Sequence, residues 1–177
     1  MLRRLIAFLV CAGAVLAVTI AQAGEPAVEY KGATYIQAGK TWTCYAPHKR
    51  TGEIVPVKGM KAPLFSAWSG VIYDGAGWPT IVFNRSQLDL YPPFVALFAY
   101  HHECAHLTVP TTDEVLANCE GLIAMRRAGE ITPALEEVLR DIHYSLPDLG
   151  PKYGGSGRAF WDATVKCADL PLELHRQ

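Results

Sequence analysis

The segment Phe94–His106 constrains this chain more than any other. An apolar run, Phe94-Val95-Ala96-Leu97-Phe98-Ala99-Tyr100, leads without a break into His101-His102-Glu103-Cys104-Ala105-His106. Pro92-Pro93 ahead of it is a helix start signal, so one helix is predicted whose first half belongs to a core. Three ionisable side chains continuing such a helix are costly to bury unless something compensates them. Their spacing suggests what does. Each residue of an α-helix advances by about 100° and 1.5 Å, so His102 and His106 stand one turn apart on nearly the same face. Both imidazoles can then reach one metal ion, with Glu103 on the flank beside a metal-held water. His101, five residues from His106, is too far round the helix to share that ion, and Cys104 points about 200° away from His102. A surface helix carrying H-E-x-x-H by coincidence is the competing reading, and the apolar lead-in weighs against it.

The start of the chain has the layout of an export signal. Arg3 and Arg4 precede the almost wholly apolar stretch Leu5–Ile20, and Ala21-Gln22-Ala23 forms a cleavage site before Gly24. A membrane anchor needs about twenty apolar residues and a charged flank; this stretch is shorter and ends in small residues. Cys11 is a passive member of it. Residues 1–23 are therefore expected to be a signal peptide and 24–177 a single domain, periplasmic or secreted, with no membrane association after cleavage. The net charge of −1 becomes −3 once Arg3 and Arg4 are removed, and no basic cluster exceeds Lys49-Arg50, which argues against nucleic acid as a partner. Half of the residues are hydrophobic, enough for a real core.

Cys44, Cys104, Cys119 and Cys167 remain after cleavage. An even number in an exported chain predicts two disulfides, for which sequence allows three connectivities. A cysteine metal site is the alternative, and the absence of a C-x-x-C pair disfavours it. Cys104–Cys119 is the pairing favoured here, as a staple between two metal-site helices, with Cys44 and Cys167 tying the ends of the domain.

Short β-prone pieces fill residues 27–37 and 41–47, followed by a turn at Thr51-Gly52-Glu53. The clearest strands are Gly70–Tyr73 and Thr80–Asn84, joined as a hairpin through Asp74-Gly75-Ala76-Gly77. Pro79 marks the second as a sheet edge. Beyond Tyr91 the pattern turns helical. A second helix is expected from Thr111 or Thr112 to Ala128, stopped by Gly129. A third has Thr132 as N-cap and Pro133 at its first position, running to His143. After a loop over 147–157, a short helix over 156–168 closes the chain. Strands first and helices afterwards predict an α+β domain.

A catalytic zinc site takes three protein ligands and keeps a position open for water. The acidic candidates after His106 are Asp113, Glu114 and Glu120. Glu114 and Asn118, four apart, share a helix face. Thr111-x-x-Glu114 also reads as a capping box, and Asp113 as a favourable charge at a helix N-terminus. H-E-x-x-H followed on the next helix by Glu114-Val115-Leu116-Ala117-Asn118 resembles the gluzincin metallopeptidases, in particular their small single-domain relatives, over about 81–127. The resemblance implies a zincin-like domain, with N-terminal strands including an edge strand, an active-site helix, a glutamate helix and further helices. It implies that His102, His106 and Glu114 bind zinc, that Glu103 activates the water, and that Asn118 accepts a hydrogen bond from a ligand histidine. Asn118 departs from the aspartate form of that motif.

The expected function is that of a zinc-dependent metallopeptidase with Glu103 as general base and a peptide or protein as substrate. The peptide is expected to lie along Thr80–Phe83 by strand addition. His143 and Tyr144 are the only pair placed to stabilise an oxyanion, and read more simply as a helix C-terminal charge and a packing aromatic. Tyr73, Trp78 and Tyr100 read as packing residues, His48 and His175 as solvated. The rival from another class is a zinc-binding exported protein with little turnover; a hydrolase of cell-wall peptides or other amides is a third reading.

Overall fold

The computed structural model describes residues 28–30, 32–62 and 67–171. The expected signal peptide and His175 lie outside them. Among the described residues eight short strands precede five helices, so the α+β expectation holds. The strands are β1 (Val28–Tyr30), β2 (Tyr35–Gln37), β3 (Lys40–Trp42), β4 (Tyr45–Pro47), β5 (Ile54–Pro56), β6 (Lys58–Lys61), β7 (Ser69–Tyr73) and β8 (Pro79–Phe83). A four-stranded sheet has the order β1-β6-β8-β7, and two ribbons pair β2 with β3 and β4 with β5. The helices are α1 (Arg85–Leu88), α2 (Pro93–Thr108), α3 (Glu114–Ala128), α4 (Pro133–Ser145) and α5 (Gly157–Ala168), with a 3-10 turn at Pro151–Tyr153.

The hairpin forms as expected. β7 runs antiparallel to β8 with Ser69 opposite Phe83 and Tyr73 opposite Pro79. Asp74 shapes the turn, its Oδ1 accepting from the backbone N–H groups of Ala76, Gly77 and Trp78 at 2.9 Å each. The Trp78 amide above all, helped by Lys58, pulls the half-buried Asp74 carboxyl down to about 2.

Pro79 does not mark an edge. β8 lies inside the sheet, parallel to β6 and antiparallel to β7, and all five of its residues are buried. Proline is harmless at the first residue of a strand, where only a terminal donor is lost. The unbroken apolar run Ile81-Val82-Phe83 is what a strand covered on both faces looks like. The edge strands of the sheet are β1 and β7, and β7 is the one beside β8.

α2 is the central helix. It packs on α3, and its remaining sides meet β2, β4, β7 and β8. That surround explains why every residue from Val95 to Tyr100 is buried. The helix ends follow their local signals. Gly129 stops α3 in the left-handed region at φ 64°, its N–H and that of Glu130 closing on Arg126 and Met125 carbonyls. Thr132 caps α4 through Leu135 N–H, and Ser156 caps α5 through Ala159 N–H.

Two disulfides form, but not with the favoured pairing. Cys44 bonds to Cys104 and Cys119 to Cys167. The helical wheel explains the correction. Cys104 faces away from His102, hence away from α3, and meets the residues between β3 and β4. Cys119 is turned towards α5.

Candidate metal centre

Two helices build the site. α2 presents His102, Glu103 and His106, and α3 opens with Glu114 and brings Asn118 one turn later. Gly121 lets the two backbones meet: a Cβ there would stand 3.0 Å from His102 N and 3.2 Å from His101 C. These are backbone atoms that cannot swing aside. Gly121→Ala is therefore expected to push α3 outward, costing about 1–3 kcal/mol of stability and weakening metal binding. Thermal unfolding and metal titration of the variant check both effects.

The donors converge. His102 Nε2 lies 3.1 Å from His106 Nε2 and 3.1 Å from Glu114 Oε2, and His106 Nε2 lies 3.4 Å from the same oxygen. Their far sides fix the proton positions. The Thr164 hydroxyl donates to the Phe160 carbonyl at 2.9 Å, so it must accept from Asn118 Nδ2 at 3.1 Å. Asn118 Oδ1 then faces His102 Nδ1 at 2.9 Å and can only accept, which places a proton on Nδ1. His106 Nδ1 likewise donates to the Thr111 carbonyl at 2.9 Å. With Nδ1 of each ring committed as a donor, the two Nε2 atoms turn towards each other and towards a carboxylate, an arrangement that repels itself unless a proton or a cation lies between. Bonds of about 2.0–2.1 Å at tetrahedral angles put ligand atoms roughly 3.3 Å apart, close to the spacings seen. The donor set of two imidazoles and one carboxylate fits zinc; Cys44, Cys104, Cys119 and Cys167 are all spent in disulfides.

The competing roles on α3 separate cleanly. Asp113 is the N-cap, its Oδ1 accepting from Val115 and Leu116 N–H at 2.8 and 3.1 Å. The Thr111 hydroxyl accepts from Asp113 N–H, so no Thr111–Glu114 capping box forms. Glu114 is thereby free to turn inward, where it is 5% exposed, and neither Asp113 nor Glu120 joins the cluster. Burial alone would raise the Glu114 carboxyl, but hydrogen bonds with His102, His106 and Lys152 outweigh it and hold it well below the carboxylate range. Burial opposes a charge on His106 too, yet Glu114 and the Thr111 carbonyl raise it above an ordinary histidine. A metal must displace that proton. Metal affinity is therefore expected to fall as pH drops through the raised His106 pKa, starting above the pH where ordinary histidines titrate; metal titrations over a pH series would show it.

An open cleft of about 880 Å³ borders the cluster, lined by β7, α2 and the loop that carries Lys152. Glu103 is 6% exposed, and its Oε1 accepts from the Ser69 hydroxyl of β7 at 2.8 Å. Lys152 pairs with Glu114 Oε1, on the side away from the histidines. His143 is buried beside the cleft among Trp68, Phe98 and Trp161. Burial pulls it down to about 4, so it carries no charge at the end of α4. Its Nδ1 donates to the Leu139 carbonyl, which leaves Nε2 an acceptor and the wrong polarity for an oxyanion. Tyr144 is outside the cleft, its hydroxyl on Asp162. His101 belongs to another cluster, where Glu130 joins it at 2.7 Å to the Trp42 indole, also at 2.7 Å. Tyr100 stacks on Tyr35 as packing. His48 has an edge contact with Trp78 and accepts from the Arg50 and Thr51 N–H groups. Ser69, Thr164 and Lys152 escaped the sequence reading because each reaches the site from a distant element. Compared with known families, characterised proteins and solved structures, the chain matches none.

Proposed function

We propose that this protein is an exported zinc metallopeptidase of the gluzincin kind, hydrolysing peptide bonds with Glu103 as general base. The observation that carries the reading is the convergence of His102, His106 and Glu114 donors within 3.4 Å beside a second buried acid, Glu103, that is not among them. Structural zinc sites are closed by four protein ligands, whereas catalytic ones keep three and an open position. His102, His106 and Glu114 would hold the ion, and zinc there lowers the pKa of water towards about 7 and polarises a carbonyl. Ser69 engages Glu103 Oε1, leaving Oε2 to take the proton of the attacking water and return it to the departing amine. Asn118 and Thr111 hold the imidazoles in the tautomer that presents Nε2. The two disulfides fit an oxidising compartment, periplasmic or extracellular. Among the described residues no helix is long and apolar enough to cross a membrane. Elemental analysis of the purified protein, paired with a peptide-cleavage assay, tests the reading. One zinc equivalent without cleavage would leave the zinc-binding protein of little turnover.

The substrate strand belongs on β7 rather than on β8. Asn84 N–H donates to the Trp68 carbonyl and Asp74 N–H to the Trp78 carbonyl. Bonded and outward-facing residues alternate in an antiparallel pair, so Ser69, Val71 and Tyr73 turn their backbone groups to the open edge. All three line the cleft. An extended peptide added there would pass Glu103, held by Ser69 at the start of the strand. Val71→Pro removes one outward N–H without touching the ladder to β8. The expected result is a rise in KM of about tenfold, the worth of one hydrogen bond, with unchanged metal content; steady-state kinetics on an extended peptide check it.

A further inference from the structure

Lys152 is the one cation placed against the metal cluster among the described residues, and the loop around it is built to deliver it. The 3-10 turn Pro151–Tyr153 is framed by Gly150 at φ 83° and Gly154 and Gly155 at φ 74° and 99°, conformations that side chains rarely adopt. Gly155 N–H closes on the Gly150 carbonyl, Leu149 N–H closes on the Gly155 carbonyl, and Asp148 bridges to Ser156. The Lys152 side chain is 62% exposed, yet its ammonium reaches Glu114, whose side chain is 6% exposed.

The two oxygens of Glu114 are thereby divided. Oε2 faces both histidine Nε2 atoms and Oε1 faces Lys152. A carboxylate free on both oxygens can bind a metal through both, and higher coordination numbers follow from such bidentate contacts. An ammonium fixed on one oxygen prevents that.

We propose that Lys152 is a positioning residue that makes Glu114 a one-oxygen ligand and so keeps the centre at three protein donor atoms, with a position left for substrate or water. The inference rests on the metal-centre reading above and adds to it the device that sets donor number. Arginine retains a cation of similar reach, whereas Lys152→Met and Lys152→Gln remove it from a largely solvated position.

Cobalt(II) substitution of the full chain reads the outcome directly, because four-coordinate cobalt absorbs visible light several-fold more strongly than five- or six-coordinate cobalt. The unmutated protein should show the strong band. Lys152→Met and Lys152→Gln should each keep cobalt and lose the band several-fold, and Lys152→Arg should restore it; neutral variants that keep no cobalt overturn the inference. A strong band unchanged in both neutral variants overturns the inference while leaving the metal centre standing. Failure of the unmutated protein to bind cobalt or zinc overturns the centre and this inference with it.

Discussion

Glu103→Gln is expected to keep one metal equivalent and to lose peptide turnover by about 10²–10⁴-fold, the usual worth of a positioned general base. The substitution is nearly isosteric, and a glutamine oxygen can still accept from the Ser69 hydroxyl that now lies 2.8 Å from Oε1. The fold should therefore hold. Glu103 is not among the converging donors, so the ion has no reason to leave. What disappears is the only function that needs a free carboxylate, accepting the proton of the attacking water. Elemental analysis and cleavage kinetics on the same sample make the comparison. Cleavage at the unmutated rate would remove Glu103 from the chemistry; loss of metal would make it a ligand.

His102→Ala and His106→Ala are each expected to abolish stoichiometric metal binding, because two donors in an open cleft hold an ion poorly. Elemental analysis after dialysis checks this, and a full equivalent retained by either variant would refute the ligand assignment. The two should differ in stability. Asn118 is 2% exposed and its amide is committed to Thr164, so removing His102 leaves Oδ1 buried without its donor. Such an orphaned group costs about 1–3 kcal/mol. His106 contacts the backbone carbonyl of Thr111, in a connecting segment with solvent at hand. Metal-free His102→Ala should thus melt below metal-free His106→Ala.

What the sequence disclosed was periodic or adjacent. His102 and His106 one turn apart, Glu114 and Asn118 one turn apart, and the stops at Gly129 and Thr132-Pro133 are local signals that tertiary packing did not override. The errors came where a local signal had two meanings. The missing donor of Pro79 suggests an edge, whereas the apolar residues after it describe a strand covered on both faces. The placement of Cys104 and Cys119 on the two site helices suggests a bond between them, whereas the angle of Cys104 from His102 turns it away from α3 and towards Cys44. β6, Lys58-Gly59-Met60-Lys61, has neither alternation nor a β-branched residue, so nothing in its sequence marks it as a strand. Ser69 and Lys152 meet Glu103 and Glu114 across 34 and 38 residues of chain, and no spacing rule carries information over that distance.

The disulfide pattern ties each of the two site helices to a different part of the chain. Cys104 lies inside the H-E-x-x-H string, and its bond to Cys44 fastens the histidine helix to the N-terminal half; the bond from Cys119 to Cys167 fastens the glutamate helix to the C-terminal one. Closing loops of 60 and 48 residues is worth roughly 4 kcal/mol each on the chain-entropy account, together comparable with the whole stability of a domain this size. A reduced chain would therefore struggle to hold its two ligand-bearing helices in register. On the proposed reading, oxidation would precede metal capture, and hydrolytic competence would arise only in an oxidising compartment.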